Sequence, residues 1–298
     1  MRYDTAEAFR TALEQRLKNE AEASGMALMR LRKRVAFERF LARLATSESS
    51  GWVLKGAFAL ELRLGLRTRT TKDIDLGRAD DEEAATEHLN AATGVDLGDF
   101  FDFEARRTPA LDAAAGFQAV RYTVRADLAG RRFEQFPVDV ALSESSPIQA
   151  EPVVGANSLD FADVAALQLP VVSLEQHVAE KLHAYTGTFG RDERESTRVK
   201  DLVDLVLIGE LAELDATRLR HALATTFEQR TRQPLPNAIP SPPPSWARPY
   251  AVLAREVGVT VEIEAGHAAA ARLLDPVLRL EAVDHWDPEA QGWRSRRS

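Results

Sequence analysis

Phe9, Leu13 and Leu17 recur at intervals of four, and Phe37, Phe40, Leu41 and Leu44 at three and four, a period that predicts two helices over residues 5–46. The period then shortens. Trp52 to Leu54 reads as a brief apolar strand, Lys55-Gly56-Ala57 as a turn, and the run to about Leu64 as a helix. In "TTKDIDLG" the apolar Ile74 and Leu76 alternate with Asp73 and Asp75, which predicts a strand. Residues 80–93 look helical, and "FQAVRYTVRADLAG" and "RRFEQFPVDVALSE" read as two strands about an Ala-Gly turn. The second half changes character. Ser173 stands three before Gln176, a capping box that starts a helix near Leu174, and Val199, Leu202, Val203 and Val206 mark one face of another. Seven of the fourteen prolines fall between Thr231 and Tyr250, an extended crossing segment with a last helix after it, and the tail from His285 is expected to fray. The expected fold class is α/β (α+β): N-terminal helices, a small mixed sheet carrying the acids, and a helical C-terminal half closing a cleft. The expected division is residues 1–165 and 166–298. Repeats are not visible.

The 298 residues, 45% of them hydrophobic and 28% charged, suit an ordinary globular protein with one large core or two modest ones. No apolar run is long enough for a membrane span, and the N-terminus has no secretory h-region. The absence of cysteine excludes disulfides and thiolate chemistry. A cytoplasmic monomer is the simplest expectation. The net charge of −8 conceals an asymmetry, because residues 1–72 hold fifteen Lys/Arg against eight Asp/Glu. Six of those cations lie between Arg30 and Arg43, which reads either as a solvated helix face or as a patch for RNA backbone. Arg191, Arg194 and Arg198, in a polar loop, are further candidates for RNA.

Residues i and i+2 of a strand point to one face, so Asp73 and Asp75 project together. Two ionised carboxylates so close repel unless a cation lies between them. Magnesium suits the pair, since it takes oxygen ligands and is usually held by one or two carboxylates while substrate phosphates fill other positions. Asp139 interrupts the apolar run "FPVDVAL" in the same way. Backbone N–H groups at the Gly56 turn can hold phosphate oxygens. Histidines in metal-ligand spacing and a G-x-S-x-G elbow are both absent, which leaves zinc and triad hydrolases unsupported.

Strand, turn, helix and a strand bearing D-x-D resembles the opening of the nucleotidyltransferase superfamily of DNA polymerase beta, and most closely its AbiEii/MenT toxin branch. The residues that carry the resemblance are Lys55-Gly56-Ala57, Arg69-x-Thr71-x-Asp73-Ile74-Asp75, Lys181 in "AEKLHAY", and Lys200-Asp201-x-x-Asp204. Ala57 departs from the Gly or Ser of many relatives. The resemblance implies a magnesium-dependent (or Mn2+-dependent) transfer of nucleotides from NTP to RNA, in some members to the tRNA 3′ acceptor end. It makes Asp73 and Asp75 the metal-binding catalytic acids, Asp139 the superfamily's third acid, and Lys181 a catalytic partner of the leaving phosphates. Asp204 becomes an active-site acid that orients Lys181 or the base. Lys55, Gly56, Ala57, Arg69 and Asp201 fall on the nucleotide-binding side. A co-encoded AbiEi-type antitoxin is the implied partner. Thr71, two before Asp73, is a candidate phosphosite whose modification would compete for metal and triphosphate. The alternatives are transfer to a small-molecule or protein acceptor, a sugar-nucleotide enzyme using D-x-D, and a non-catalytic nucleotide- or RNA-binding module.

Overall fold

The computed structural model describes residues 1–47, 51–108, 119–142, 149–155, 157–187, 198–230 and 233–295. The chain forms two compact units, residues 1–63 with 70–172 and residues 64–69 with 173–298.

In the first unit, helix α1 (Ala6–Ser24) begins where Thr5 Oγ1 accepts from the Ala8 amide. It buries the expected Phe9, Leu13 and Leu17, and α2 (Leu28–Thr46) follows. Strand β1 (Val53–Lys55) runs directly into α3 (Gly56–Leu64), and β2 (Ile74–Arg78) into α4 (Glu82–Thr93). Then come β3 (Phe101–Thr108), β4 (Ala119–Leu128), β5 (Arg131–Leu142), β6 (Ala150–Val154) and β7 (Gln168–Val172). The seven strands lie in the order β3-β4-β5-β2-β1-β7-β6, parallel at β2–β5 and β1–β7 and antiparallel elsewhere. Leu54, Ile74, Leu76, Val120, Tyr122, Val138 and Val140 are buried, and Phe37 and Phe40 of α2 meet Phe136 of β5 edge-on at centroid distances of 4.7 and 5.7 Å. Alternation therefore leaves Lys55, Asp75, Arg121 and Asp139 on the opposite face.

The basic stretch of α2 corrects both sequence readings. Its arginines are neither solvated nor gathered for RNA. Arg30 reaches Glu61 at 3.4 Å, Arg34 reaches Glu38 at 3.0 Å, and Arg32 pairs with Glu14 and donates to the Phe133 carbonyl. Arg39 and Arg43 converge on Asp99 at 2.6 and 2.8 Å, and all three are buried. Burial alone would raise the Asp99 carboxyl, but the hydrogen bonds and charges of Arg43 and Arg39 outweigh it and hold the group below the usual carboxylate range.

In the second unit, Ser173 Oγ accepts from the Gln176 amide and starts α5 (Leu174–Thr186), as the capping box requires. Helix α6 (Val199–Leu211) packs against α5 and is buried continuously from Asp201 to Gly209. The strand β8 (Leu214–Asp215) leads to α7 (Ala216–Gln229), which packs on α5. Two helices, not one, follow the proline-rich segment: α8 (Ala247–Val257) and α9 (Ile263–Leu278), both against α6. The expected fraying is corrected for residues 285–295, while 296–298 lie outside the described residues. Strands β9 (His285–Asp287) and β10 (Gly292–Arg294) form a hairpin that pairs with β8. Trp286 anchors it, fully buried, with its indole N–H donating to the Gly209 carbonyl at 2.8 Å. Among the described residues no helix is long and apolar enough to cross a membrane.

Candidate active site

The register of four adjacent strands places Arg121, Asp139, Asp75 and Lys55 opposite one another in a single row across β4, β5, β2 and β1. Directly opposed residues share a face and lie within about 5.5 Å at Cβ, so the row alternates as cation, acid, acid, cation. At one end it is closed by a fork. Arg121 Nε donates to Asp139 Oδ1 and Nη2 to Oδ2, both at 2.6 Å. This is the bidentate geometry that makes arginine–carboxylate pairs strong and directional. The hydrogen bond to Asp139 raises the Arg121 guanidinium above its usual range, against partial burial, and the charges of Asp139, Asp73 and Asp75 act in the same direction. Asp139 is therefore brought level with Asp75, but both its oxygens already face a cation. Among the described residues no group of three or more acids or histidines is arranged to hold a metal ion.

Gly56 forms the other wall. Its φ is +65°, and a Cβ built there would lie 1.8 Å from Asp75 Oδ2 and 2.5 Å from its Cγ. Glycine is required twice over, for the left-handed backbone and for the approach to the carboxylate. The turn between β1 and α3 thus rests against Asp75, and Ala57 is buried in the first turn of α3.

Asp73 stands just outside the strand. The expectation that Thr71 and Asp73 lie on β2 is corrected, because β2 begins at Ile74 and the residues before it form a bend. Within that bend Thr71 Oγ1 donates to Asp73 Oδ1 at 2.8 Å, and the buried threonine fixes the carboxylate by a local hydrogen bond rather than by strand alternation. Asp73 and Asp75 remain two residues apart and half-buried.

A second constellation is built entirely within the second unit. Lys181 of α5 is buried, with Nζ donating to Asp204 Oδ2 at 2.6 Å and to Asp201 Oδ1 at 3.3 Å. Asp201 and Asp204 stand one turn apart on α6, which brings both to the same side. Arg69 Nε donates to both oxygens of Asp204 at 3.2 Å. Burial alone would lower the Lys181 ammonium, but the charges of Asp204 and then Asp201 exceed that effect and raise it. Lys181 is held as a cation. Lys200, one turn before Asp204 on α6, is exposed, and Asp204 pairs with Lys181 and Arg69.

Of the loop arginines proposed for RNA, Arg191 and Arg194 lie outside the described residues, and Arg198 is partly exposed with Nη1 3.8 Å from Asp201. Arg121 is the site residue that sequence reasoning missed. Its signal was an outward-facing cation between Val120 and Tyr122, which gains meaning only from its register with Asp139.

The likeness to known proteins extends over most of the chain. The solved structure of MenT4, a nucleotidyltransferase toxin from Mycobacterium tuberculosis H37Rv, is 20% identical with a TM-score of 0.51, covering 91% of this chain and 98% of that one. It supports the fold: helices about a mixed sheet. JHP933 from Helicobacter pylori is 17% identical with a TM-score of 0.42, covering 86% and 99%. No curated protein sequence matches. The family model described as nucleotidyl transferase AbiEii toxin, type IV TA system, matches residues 39–287. That span holds every site residue described above, and the chain belongs to the AbiEii family of nucleotidyltransferase toxins of type IV toxin–antitoxin systems.

Proposed function

We propose that this toxin transfers nucleotides from a nucleoside triphosphate to RNA, with the tRNA 3′ acceptor end as acceptor and translation as the process blocked. The observation that carries the reading is Asp75 against the Gly56 turn, with Asp73 two residues before it and both acids acting on Arg121, in a chain of this family. The donor set suits magnesium, or manganese in its place: hard carboxylate oxygens on two residues and a backbone turn with no side chain in the way. Asp73 and Asp75 would hold the ion, which supplies positive charge to the attacking and leaving oxygens when bound.

The chain's own groups have separate tasks. Thr71 fixes the rotamer of Asp73, and Gly56 keeps the turn close to Asp75. Lys55 and the amides of Gly56 and Ala57, at the start of α3, would receive phosphate oxygens. In the second unit Lys181 is the cation for the leaving phosphates, Asp204 orients it together with Asp201, and Arg69 belongs to the same nucleotide-binding group. The pairing of these residues into one network supports a shared role.

Purified protein incubated with each labelled nucleoside triphosphate, total RNA and magnesium, followed by sequencing of RNA 3′ ends, tests the reading. Label on RNA that disappears with a chelator is expected. A small-molecule or protein acceptor is the second reading. It gains from the inward pairing of the α2 arginines, which removes the basic face that had favoured RNA. The same incubation, with label moving into small molecules or the protein fraction, would establish it.

The proposal extends to control in a cytoplasmic monomer by an AbiEi-type antitoxin, with Thr71 as a phosphosite. The Thr71 hydroxyl is hydrogen-bonded to Asp73, so a phosphoryl group there would set about −1.5 to −2 charges against the acid pair. Peptide mapping after co-expression with the genomic neighbour, alongside toxicity of Thr71→Glu and Thr71→Val, decides it. Absence of phosphate and equal toxicity of the two variants would end the idea.

A further inference from the structure

The row across the sheet carries its own counter-charge. Arg121 and Lys55 bracket Asp139 and Asp75, so the four side chains sum to zero and Asp73 alone leaves a net negative charge. Arg121 does more than balance. Its fork takes both oxygens of Asp139, at 2.6 Å each, and the fields of Asp73 and Asp75 favour its staying charged. The pair is also accessible, with side-chain exposures of 34% and 27%, so it sits at the edge of the acid cluster rather than in the core. A carboxylate held in this way is not offered to a metal ion, and a guanidinium beside the acids repels one.

We infer that Arg121 is a positioning residue that withholds Asp139 from metal, so that the acid cluster binds free divalent cations poorly until a nucleotide brings its own negative charge. The inference rests on the magnesium reading of Asp73 and Asp75. It assigns Asp139 a different part from the other two acids: Asp139 holds the arginine, and the arginine sets how strongly the cluster attracts cations. Phosphate oxygens of an arriving metal–nucleotide complex offset the repulsion that a bare ion meets.

The test is Mn2+ binding to nucleotide-free protein, read by the electron paramagnetic resonance signal of free Mn2+ and by calorimetry. Arg121→Gln should bind Mn2+ about tenfold more tightly than the wild type, since it removes a unit charge and frees a carboxylate. Arg121→Gln combined with Asp139→Asn should return towards wild-type affinity. Arg121→Lys keeps the charge without the fork and should show only part of the gain, and it serves if the glutamine variant fails to fold. Unchanged affinity in Arg121→Gln overturns the inference, as does a gain that persists fully in the double variant. Asp75→Asn separates the two levels: if it leaves wild-type Mn2+ binding untouched, the magnesium reading itself is at fault and not Arg121.

Discussion

Gly56 and Asp75 are in contact across the turn that opens α3, so closely that a methyl group on the glycine would lie 1.8 Å from the carboxylate oxygen. Gly56→Ala should therefore act on Asp75 directly. The left-handed backbone adds about 1–2 kcal/mol of strain for a residue with a Cβ, and the carboxylate must also move. Loss of transfer is expected to exceed the loss of stability: a near-inactive enzyme with a melting temperature lowered by several degrees. Wild-type transfer at a lowered melting temperature would mean that Asp75 need not hold its position.

Asp73→Asn and Asp75→Asn change charge at nearly constant shape, and each should abolish transfer in magnesium while the fold persists. Asp73→Asn also tests the Thr71 hydrogen bond, because the amide oxygen can still accept it. Circular dichroism should be unchanged for both. Retained toxicity of either variant would remove that acid from the catalytic pair.

The Lys181 network makes a prediction that separates structure from chemistry. Removing one partner of a buried ion pair costs about 3–5 kcal/mol, because the other charge is left behind. Lys181→Met should destabilise the second unit by about that amount, whereas Lys181→Met combined with Asp204→Leu should cost clearly less than the sum. Transfer should stay lost in both. The raised Lys181 ammonium also fixes a pH window. Its pKa is higher folded than unfolded, so its contribution is complete below the ordinary lysine value of about 10.4. That contribution is lost as pH rises through the folded value. Urea melts should show no Lys181-dependent change between pH 6 and about 9 and a decline only in strong alkali. A Lys181-dependent decline near neutrality would show that the ammonium is not held by the aspartates.

How far the sequence carried these conclusions depended on whether a feature is local. The Gly56 turn and the Ser173 cap are patterns within a few residues and formed where the spacing put them, whereas of the D-x-D pair only Asp75 lies on the strand. Strands β6 and β7 are five residues long and each contains proline. Such runs carry too little period to be told from loops. The α2 arginines failed for a different reason. The acid that neutralises Arg39 and Arg43 is Asp99, 60 and 56 residues further along, and no helical period points to it. Arg121 needed the same long-range register. Helical charge near the N-terminus thus looked like a surface when it is part of the core.

That correction yields its own test. Arg43→Ala leaves Asp99 buried with half its hydrogen bonds, so a loss of about 3–5 kcal/mol is expected, with RNA binding unaffected in whatever fraction stays folded. Alanine at Arg30, Lys33 and Arg34 together should likewise lower stability and leave the salt dependence of RNA binding unchanged. A flattened salt slope with unchanged stability would restore α2 as an RNA surface.

The C-terminal hairpin offers the cleanest separation of folding from chemistry. Trp286 is fully buried, meets Trp293 edge-on at 5.7 Å, and donates to the carbonyl of Gly209 near the end of α6. Trp293 in turn donates to the Leu273 carbonyl of α9 at 2.9 Å. The hairpin therefore ties two helices of the second unit through backbone carbonyls of α6 and α9. Trp286→Ala should cost about 3–5 kcal/mol, the range for deleting a buried aromatic, and Trp286→Phe less, since it keeps most of the packing and loses the N–H donor. The two indoles donate to the Gly209 and Leu273 carbonyls and not to the Lys181 network, so the folded fraction should keep its specific activity. Calorimetry with active-site titration checks this. If Trp286→Phe is fully stable but inactive, the tail has a role in the reaction that its packing does not explain.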